Sequence, residues 1–277
     1  MARHGMANRF TLSDALWEKI QPLLPVRVNT HRFGGGRPPA DDRRCLEAIF
    51  FRLRTGCQWK ALDATGLCPG STAHDRFQQW VAAGVFQRFW QAGLVAYDEL
   101  KGLDWAWLSM DGAMSKAPLG GGKTGRNPTD RGKRGVKRSL LAEAAGVPVA
   151  VAIEGANRHD MKLARATLEA LAANKPWPRA DAPQGLCLDK GYDFDEAREL
   201  LAEFGFTAPI RSRGEEARDL TQAPGAKARR WVVERDHRWL NRFRGVLIRW
   251  CKKPENYLAM LHFACGLIAY QQSGLFG

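Results

Sequence analysis

The stretch Trp105-Ala106-Trp107-Leu108-Ser109-Met110-Asp111-Gly112 marks where the chain changes texture. Before it, apolar residues recur at helical spacing; from Leu103 they gather into short β-like runs. Ser139-Leu140-Leu141 and Val147-Pro148-Val149-Ala150-Val151-Ala152-Ile153 flank a turn at Gly146 and, with residues 105–110, predict a three-strand meander. Elements then alternate: a helix over 160–173, a buried strand Gly185-Leu186-Cys187-Leu188 ending at Asp189, a helix over 195–204, a strand around 208–210 and a long terminal helix from about Lys227. Hairpin-linked strands followed by alternating strands and helices predict an α/β fold, a mixed sheet with flanking helices.

Residues 1–100 read instead as an all-helical domain. Thr11-Leu12-Ser13-Asp14 offers caps before Leu16, Trp17, Ile20, Leu23 and Leu24, and Pro25 ends that run. Asp41 and Asp42 open a second helix with Leu46, Ile49, Phe50 and Leu53 inward, closed by Gly56. Ser71 is the expected cap of a third, carrying Phe77, Trp80 and Val81, and Gly84 separates it from a fourth with Val85, Phe86, Phe89, Trp90 and Leu94. Arg52, Arg54, Lys60 and Arg76 near the joints suit a helix-turn-helix-like DNA reader, and equally suit a plain bundle with solvated cations.

The composition narrows the partner. In 277 residues, 42 Lys and Arg against 29 Asp and Glu leave a net charge of +13, which favours a polyanion. The excess is uneven: residues 101–180 hold 14 basic and 7 acidic side chains, whereas residues 181–230 hold 8 and 10. Carboxylates kept within a basic protein call for a cation. The six cysteines show neither zinc spacing nor a disulfide framework, which fits a reduced, cytoplasmic chain. The longest apolar run, residues 258–270, is shorter than a membrane span and is interrupted by His262, so it reads as a buried helix and no membrane partner is expected. Gly120-Gly121-Gly122-Lys123-Thr124 fails the phosphate-loop pattern because Ala117 stands where a glycine is required, so no nucleotide cofactor is expected.

Asp111 and Asp189 occupy equivalent places, each after a hydrophobic strand and before a glycine-containing turn, where strand ends converge on a crevice. An aspartate before glycine is by itself most often a turn former. A third acid, Glu234, lies on the terminal helix in a stripe with Lys227, Arg230, Arg238 and Asn241, while Val232, Trp239, Leu240, Phe243 and Leu247 line the other side. Three convergent carboxylates are hard oxygen ligands for Mg²⁺, and two such ions can activate a hydroxyl and stabilise the leaving oxygen of a phosphodiester. A basic loop over 116–138, with Lys133, Arg134, Lys137 and Arg138 among its cations, follows Asp111 and is expected to clamp DNA.

With these landmarks the chain resembles, over nearly its whole length, a DDE transposase of the bacterial insertion-sequence-five family, with a ribonuclease-H-like catalytic core. Leu53-Arg54-Thr55-Gly56-Cys57-Gln58-Trp59, Met110-Asp111-Gly112, Ala156-Asn157-Arg158-His159-Asp160, Asp189-Lys190-Gly191-Tyr192-Asp193 and Trp231-Val232-Val233-Glu234-Arg235 carry the resemblance. It implies a helical domain over 1–100 and a catalytic domain over 101–277. It also implies Asp111, Asp189 and Glu234 as a triad holding two Mg²⁺, or Mn²⁺ in substitution, with Arg230 as a DNA contact. Related helices carry Tyr seven residues before the Glu and Lys seven after; Lys227 and Asn241 stand there here, leaving Arg238 and Arg242 as replacement cations. The implied activity is cleavage at the inverted-repeat ends of an insertion sequence and transfer of the freed 3′-hydroxyls to target DNA, by a homodimer in the bacterial nucleoid. A cutting-only nuclease or resolvase, and a non-catalytic repressor of the same fold, are the rival readings.

Overall fold

The structure is a computed structural model that describes residues 10–26, 38–188, 195–207 and 231–275, without the side chains of Trp231 and Glu234. Local chemistry starts and stops the first helices as the sequence predicts. Ser13 accepts from the Leu16 amide at the start of α1 (Asp14–Ile20), and Asp41 accepts from the Arg44 amide at the start of α2 (Asp42–Thr55). A 3-10 segment, Trp59–Thr65, leads to α3 (Gly70–Ala82). The expected Ser71 cap is not the one used: α3 begins a residue earlier, and Asp63 accepts from the Gly70 amide at 2.7 Å. Then α4 (Val85–Lys101) buries Val85, Phe86, Phe89, Trp90 and Leu94.

The sheet follows. β1 (Trp107–Lys116) pairs antiparallel with β3 (Arg134–Glu143), and β3 pairs antiparallel with β4 (Pro148–Gly155). The short β2 (Gly125–Arg126) extends the pairing at the start of β3. After α5 (Asp160–Glu169), β5 (Gly185–Cys187) returns parallel to β1 on its free side, and a parallel bridge from Gly185 to Thr207 opens a further position beyond α6 (Asp195–Glu203). The order β4-β3-β1-β5, with the first three long strands antiparallel and the next parallel to the first, is the ribonuclease-H-like mixed sheet. The strand expected at 208–210 lies outside the described residues.

Three differences from the sequence reading matter. β1 does not end at Asp111-Gly112 but runs on to Lys116, so Asp111 sits mid-strand. The single long terminal helix is three pieces: α7 (Trp231–Asn241), α8 (Arg244–Leu247) and α9 (Pro254–Ser273). And α9 belongs to the helical block as much as to the sheet. It lies along α4, with Phe263 against the rings of Phe50, Phe86 and Phe89, and one continuous core runs from Leu12 through the sheet to Tyr270. The Trp90 indole N–H, donating to the Pro148 carbonyl at 3.0 Å, ties that block to β4. Among the described residues no helix is long and apolar enough to cross a membrane. The run around His262 is the buried helix expected.

Candidate active site

β1 is the spine of the site. Side chains alternate across a strand, and two neighbours in β3 show which helices cover which face. Lys137 reaches α5, 3.1 Å from Asp160 and donating to the Arg158 carbonyl at 2.8 Å, while Arg138 reaches α7, donating to Asn241 Oδ1 at 3.0 Å. Cross-strand partners share a face; Asp111 is level with Leu140 and Ala113 with Arg138, so Asp111 belongs to the face covered by α7. It is half-buried there.

Asp189 and Arg230 lie outside the described residues, but the strand before Asp189 is described: Ser109 is the parallel partner of Cys187, and Asp111 and Asp189 each stand two residues further on. Glu234 is on α7, which packs across β1 and β3. One turn later on that helix, the buried His237 ring meets the Asp111 backbone carbonyl. No cluster of three metal-ligating side chains occurs among the described residues.

The buried side of α7 differs from the sequence reading. Val232, Val233 and Leu240 are buried, but so are Asp236 and His237, which the apolar pattern does not include. Burial pushes Asp236 up to about 9, with Arg235 opposing and Glu143 adding to the shift. Burial pushes His237 down to about 3, helped by the Arg138 charge and opposed by the Asp111 carbonyl. Both are neutral near pH 7, which is how a helix sits on a sheet without stranding charges. Counting only apolar residues around the helix hides them. The signal in the sequence is position: they are three and four residues from Val233, on its face.

The basic stretch is a hairpin rather than a loop. Its first segment is held by Arg249, which is fully buried and donates to the carbonyls of Gly122 (2.7 Å), Lys123 (3.1 Å), Cys251 (3.0 Å) and Lys252 (2.9 Å). Asn127 then closes a turn, accepting from Gly132 and donating to the Lys133 carbonyl, and Arg134 opens β3. Lys133 and Arg134 are exposed, as a DNA clamp requires, but Lys137 and Arg138 are only 7% and 1% exposed and are engaged inside the fold. Their assignment as direct DNA contacts is therefore corrected: strand pleating turns both inward, one to each covered face. On α7 and just beyond it, Arg238 and Arg242 are exposed. In the helical block Arg76 is buried against Asp42 at 3.0 Å and Arg52 stacks on Trp59 at 4.4 Å, so neither is a solvated cation.

At the start of α5, His159 is the cap, its Nδ1 accepting from the Met161 amide, and Asp160 serves Lys137.

Residues 12–90 match the family described as "Putative transposase of IS4/5 family", and residues 107–268 match the family described as "Transposase DDE domain". A Burkholderia cepacia protein named "Putative transposase for insertion sequence element IS402" is 33% identical over 153 residues, 53% of this chain and 69% of that protein. From the same organism, "Insertion element IS402 uncharacterized 16.2 kDa protein" is 33% identical over 118 residues, 42% of this chain and 80% of the other. The solved structure titled "Crystal structure of the Mos1 Strand Transfer Complex" aligns over 87% of this chain and 76% of that one, with 12% identity and a TM-score of 0.34, too slight a likeness to bear on the site.

Proposed function

The chain belongs to the transposase family of the DDE domain, and from that membership we propose that it moves an insertion sequence by cutting at the element's inverted-repeat ends and transferring the freed 3′-hydroxyls to target DNA. The observation that supports the catalytic assignment best is the pairing of Ser109 with Cys187. In the sequence Asp111 and Asp189 each follow that pair by two residues, an equal offset that supports their meeting at the ends of these strands. Glu234 belongs to the helix packed on β1, one turn before His237, whose ring lies at the Asp111 backbone.

These three carboxylates would hold two Mg²⁺, or Mn²⁺ in substitution, since an all-oxygen donor set suits such ions. When bound, the ions supply the positive charge that polarises a phosphodiester and lowers the cost of forming an attacking hydroxide or alkoxide. The chain's own cations hold the substrate: Lys133 and Arg134 on the hairpin, and Arg230, Arg238 and Arg242 along and beside α7, contact the phosphate backbone. Two ends are joined in one reaction, so a homodimer on DNA is the acting species, working in the bacterial cytoplasm on nucleoid DNA.

The test uses Asp111→Asn, Asp189→Asn and Glu234→Gln. Each is expected to lose cleavage of intact ends and joining of pre-cleaved ends while retaining end binding. Strand transfer retained by any of the three would falsify the triad. A wild type that cuts but never joins pre-cleaved ends is a nuclease, and one that binds ends with Mg²⁺ or Mn²⁺ and leaves them uncut is a repressor.

A further inference from the structure

Beside α7 lies an open cleft of about 1050 Å³ whose polar wall is made of Arg54, Arg238, Arg242 and Arg244, with Gln271 and Gln272 at its rim and no carboxylate among the described residues of its lining. The arginines come from separate parts of the chain: the end of α2, the end of α7 and the linker after it, and the start of α8. Two glycines let them meet. A Cβ on Gly56, where φ is +72°, would stand 2.9 Å from the Arg244 carbonyl oxygen, and one on Gly245 would stand 3.0 Å from the Arg52 carbonyl oxygen. The backbones of α2 and α8 therefore touch, which places Arg54 and Arg244 on one wall. Arg54 is held there by the faces of Phe50 and Phe243, at 5.3 and 4.7 Å. Among the described residues Arg238, Arg242 and Arg244 form no ion pair.

Four like charges gathered in one concavity repel one another, and ring stacking of the kind Arg54 makes does not remove that repulsion. A polyanion passing through would remove it. We propose that this cleft is a track for the phosphate backbone of duplex DNA, continuing the path that starts at Arg238 and Arg242 beside Glu234 and leading it onto the helical block at Arg54 and Arg244. The proposal rests on the transposase reading and adds the route by which DNA leaves the catalytic sheet. The helical block thus contributes to binding through the end of α2 and its junction with α8, rather than only through a free-standing reading helix. Arginine suits this, since its planar fork meets two phosphate oxygens at once.

The test measures binding of a fluorescent DNA duplex of random sequence against salt concentration, for the full chain and two variants. The double variant Arg54→Gln/Arg244→Gln is expected to show a log–log salt dependence shallower by about 1.8, because each phosphate that the protein neutralises adds roughly 0.9 to the slope. Because Arg54 also stacks on core rings, a second variant, Gln271→Glu/Gln272→Glu, puts negative charge at the rim without touching that packing. It is expected to weaken binding at least about tenfold at low salt. Arg165→Gln, on the exposed Arg165–Glu203 pair, is the control and should bind as the parent does. An unchanged salt slope in a folded arginine variant, or unchanged affinity in the glutamate variant, overturns the track while leaving the transposase reading intact. A parent protein that binds no DNA overturns both.

Discussion

Ser109 and Cys187 are partners in the parallel pairing of β1 with β5, and each stands two residues before an aspartate. A shift of one residue would turn one aspartate to the other face of the sheet. The register is therefore the structural condition for a shared site. Partners on neighbouring strands lie about 4.8 Å apart, inside the roughly 4.4–6.8 Å range of disulfide Cα separations. Ser109→Cys is expected to form a disulfide with Cys187 under mild oxidation, detected by non-reducing peptide mapping, whereas Met110→Cys, facing the opposite side, should not. A bridge from position 110 in place of 109 would refute the register.

Arg138 and Asn241 pin α7 to β3, and the two ends of that hydrogen bond should respond unequally. Asn241→Leu leaves a buried guanidinium without its acceptor and is expected to cost about 1–3 kcal/mol. Arg138→Met fills a similar volume, removes the charge as well as the bond, and should change stability by less than about 1 kcal/mol. Denaturant unfolding of both variants checks this; equal losses would mean that the charge itself contributes.

His262 lies beside the Trp90 indole, with ring centroids 5.3 Å apart, and burial pushes its pKa down to about 4 from the usual 6.5. In the unfolded chain the ring takes a proton near pH 6.5, whereas in the folded chain it resists until about pH 4. The stability it contributes is complete above pH 6.5 and is lost as pH falls toward 4, with a slope of up to about 1.4 kcal/mol per pH unit. His262→Phe should lose less stability between pH 7 and 5 than the parent, as read from thermal or urea unfolding at each pH. Parallel pH curves would show that the histidine is not the titrating group.

The core that joins α9 to the helical block predicts that residues 1–100 do not stand alone. Phe263→Ala removes a ring shared by Phe50, Phe86 and Phe89, and is expected to destabilise the full chain by about 3–5 kcal/mol. A fragment of residues 1–100, lacking that ring, should show no cooperative unfolding in calorimetry. A sharp transition in the fragment would make the block an independent domain after all.

How much of this is legible in the sequence depends on how local the cause is. Ser13, Asp41 and Gly56 act within a turn of where they stand, so the first two helices are readable nearly to the residue. The long strands show in their apolar stretches, but their ends do not. Asp111-Gly112 looks like a turn because those residue types favour one, and only cross-strand pairing with Leu140 and Ser139 shows the strand running through. Lys137 and Arg138 read as solvated because charge usually is; their burial depends on Asp160 and Asn241, which are distant in sequence. Nothing local announces that residues 254–273 complete the core of residues 46–90. For the site, the order of the acids and the resemblance are enough to nominate Asp111, Asp189 and Glu234, whereas Asp236 and His237 are marked only by their spacing from Val233, and their burial shows once α7 is seen against β1.

The embrace of the helical block by α9 also sets an order of events during synthesis. Phe50, Phe86 and Phe89 are made early and wait for Phe263, so the block cannot close until residue 263 has left the ribosome. A nascent or prematurely terminated chain ending before residue 254 leaves those rings without their cover. It is more prone to aggregate or be degraded than to occupy DNA as an inactive competitor.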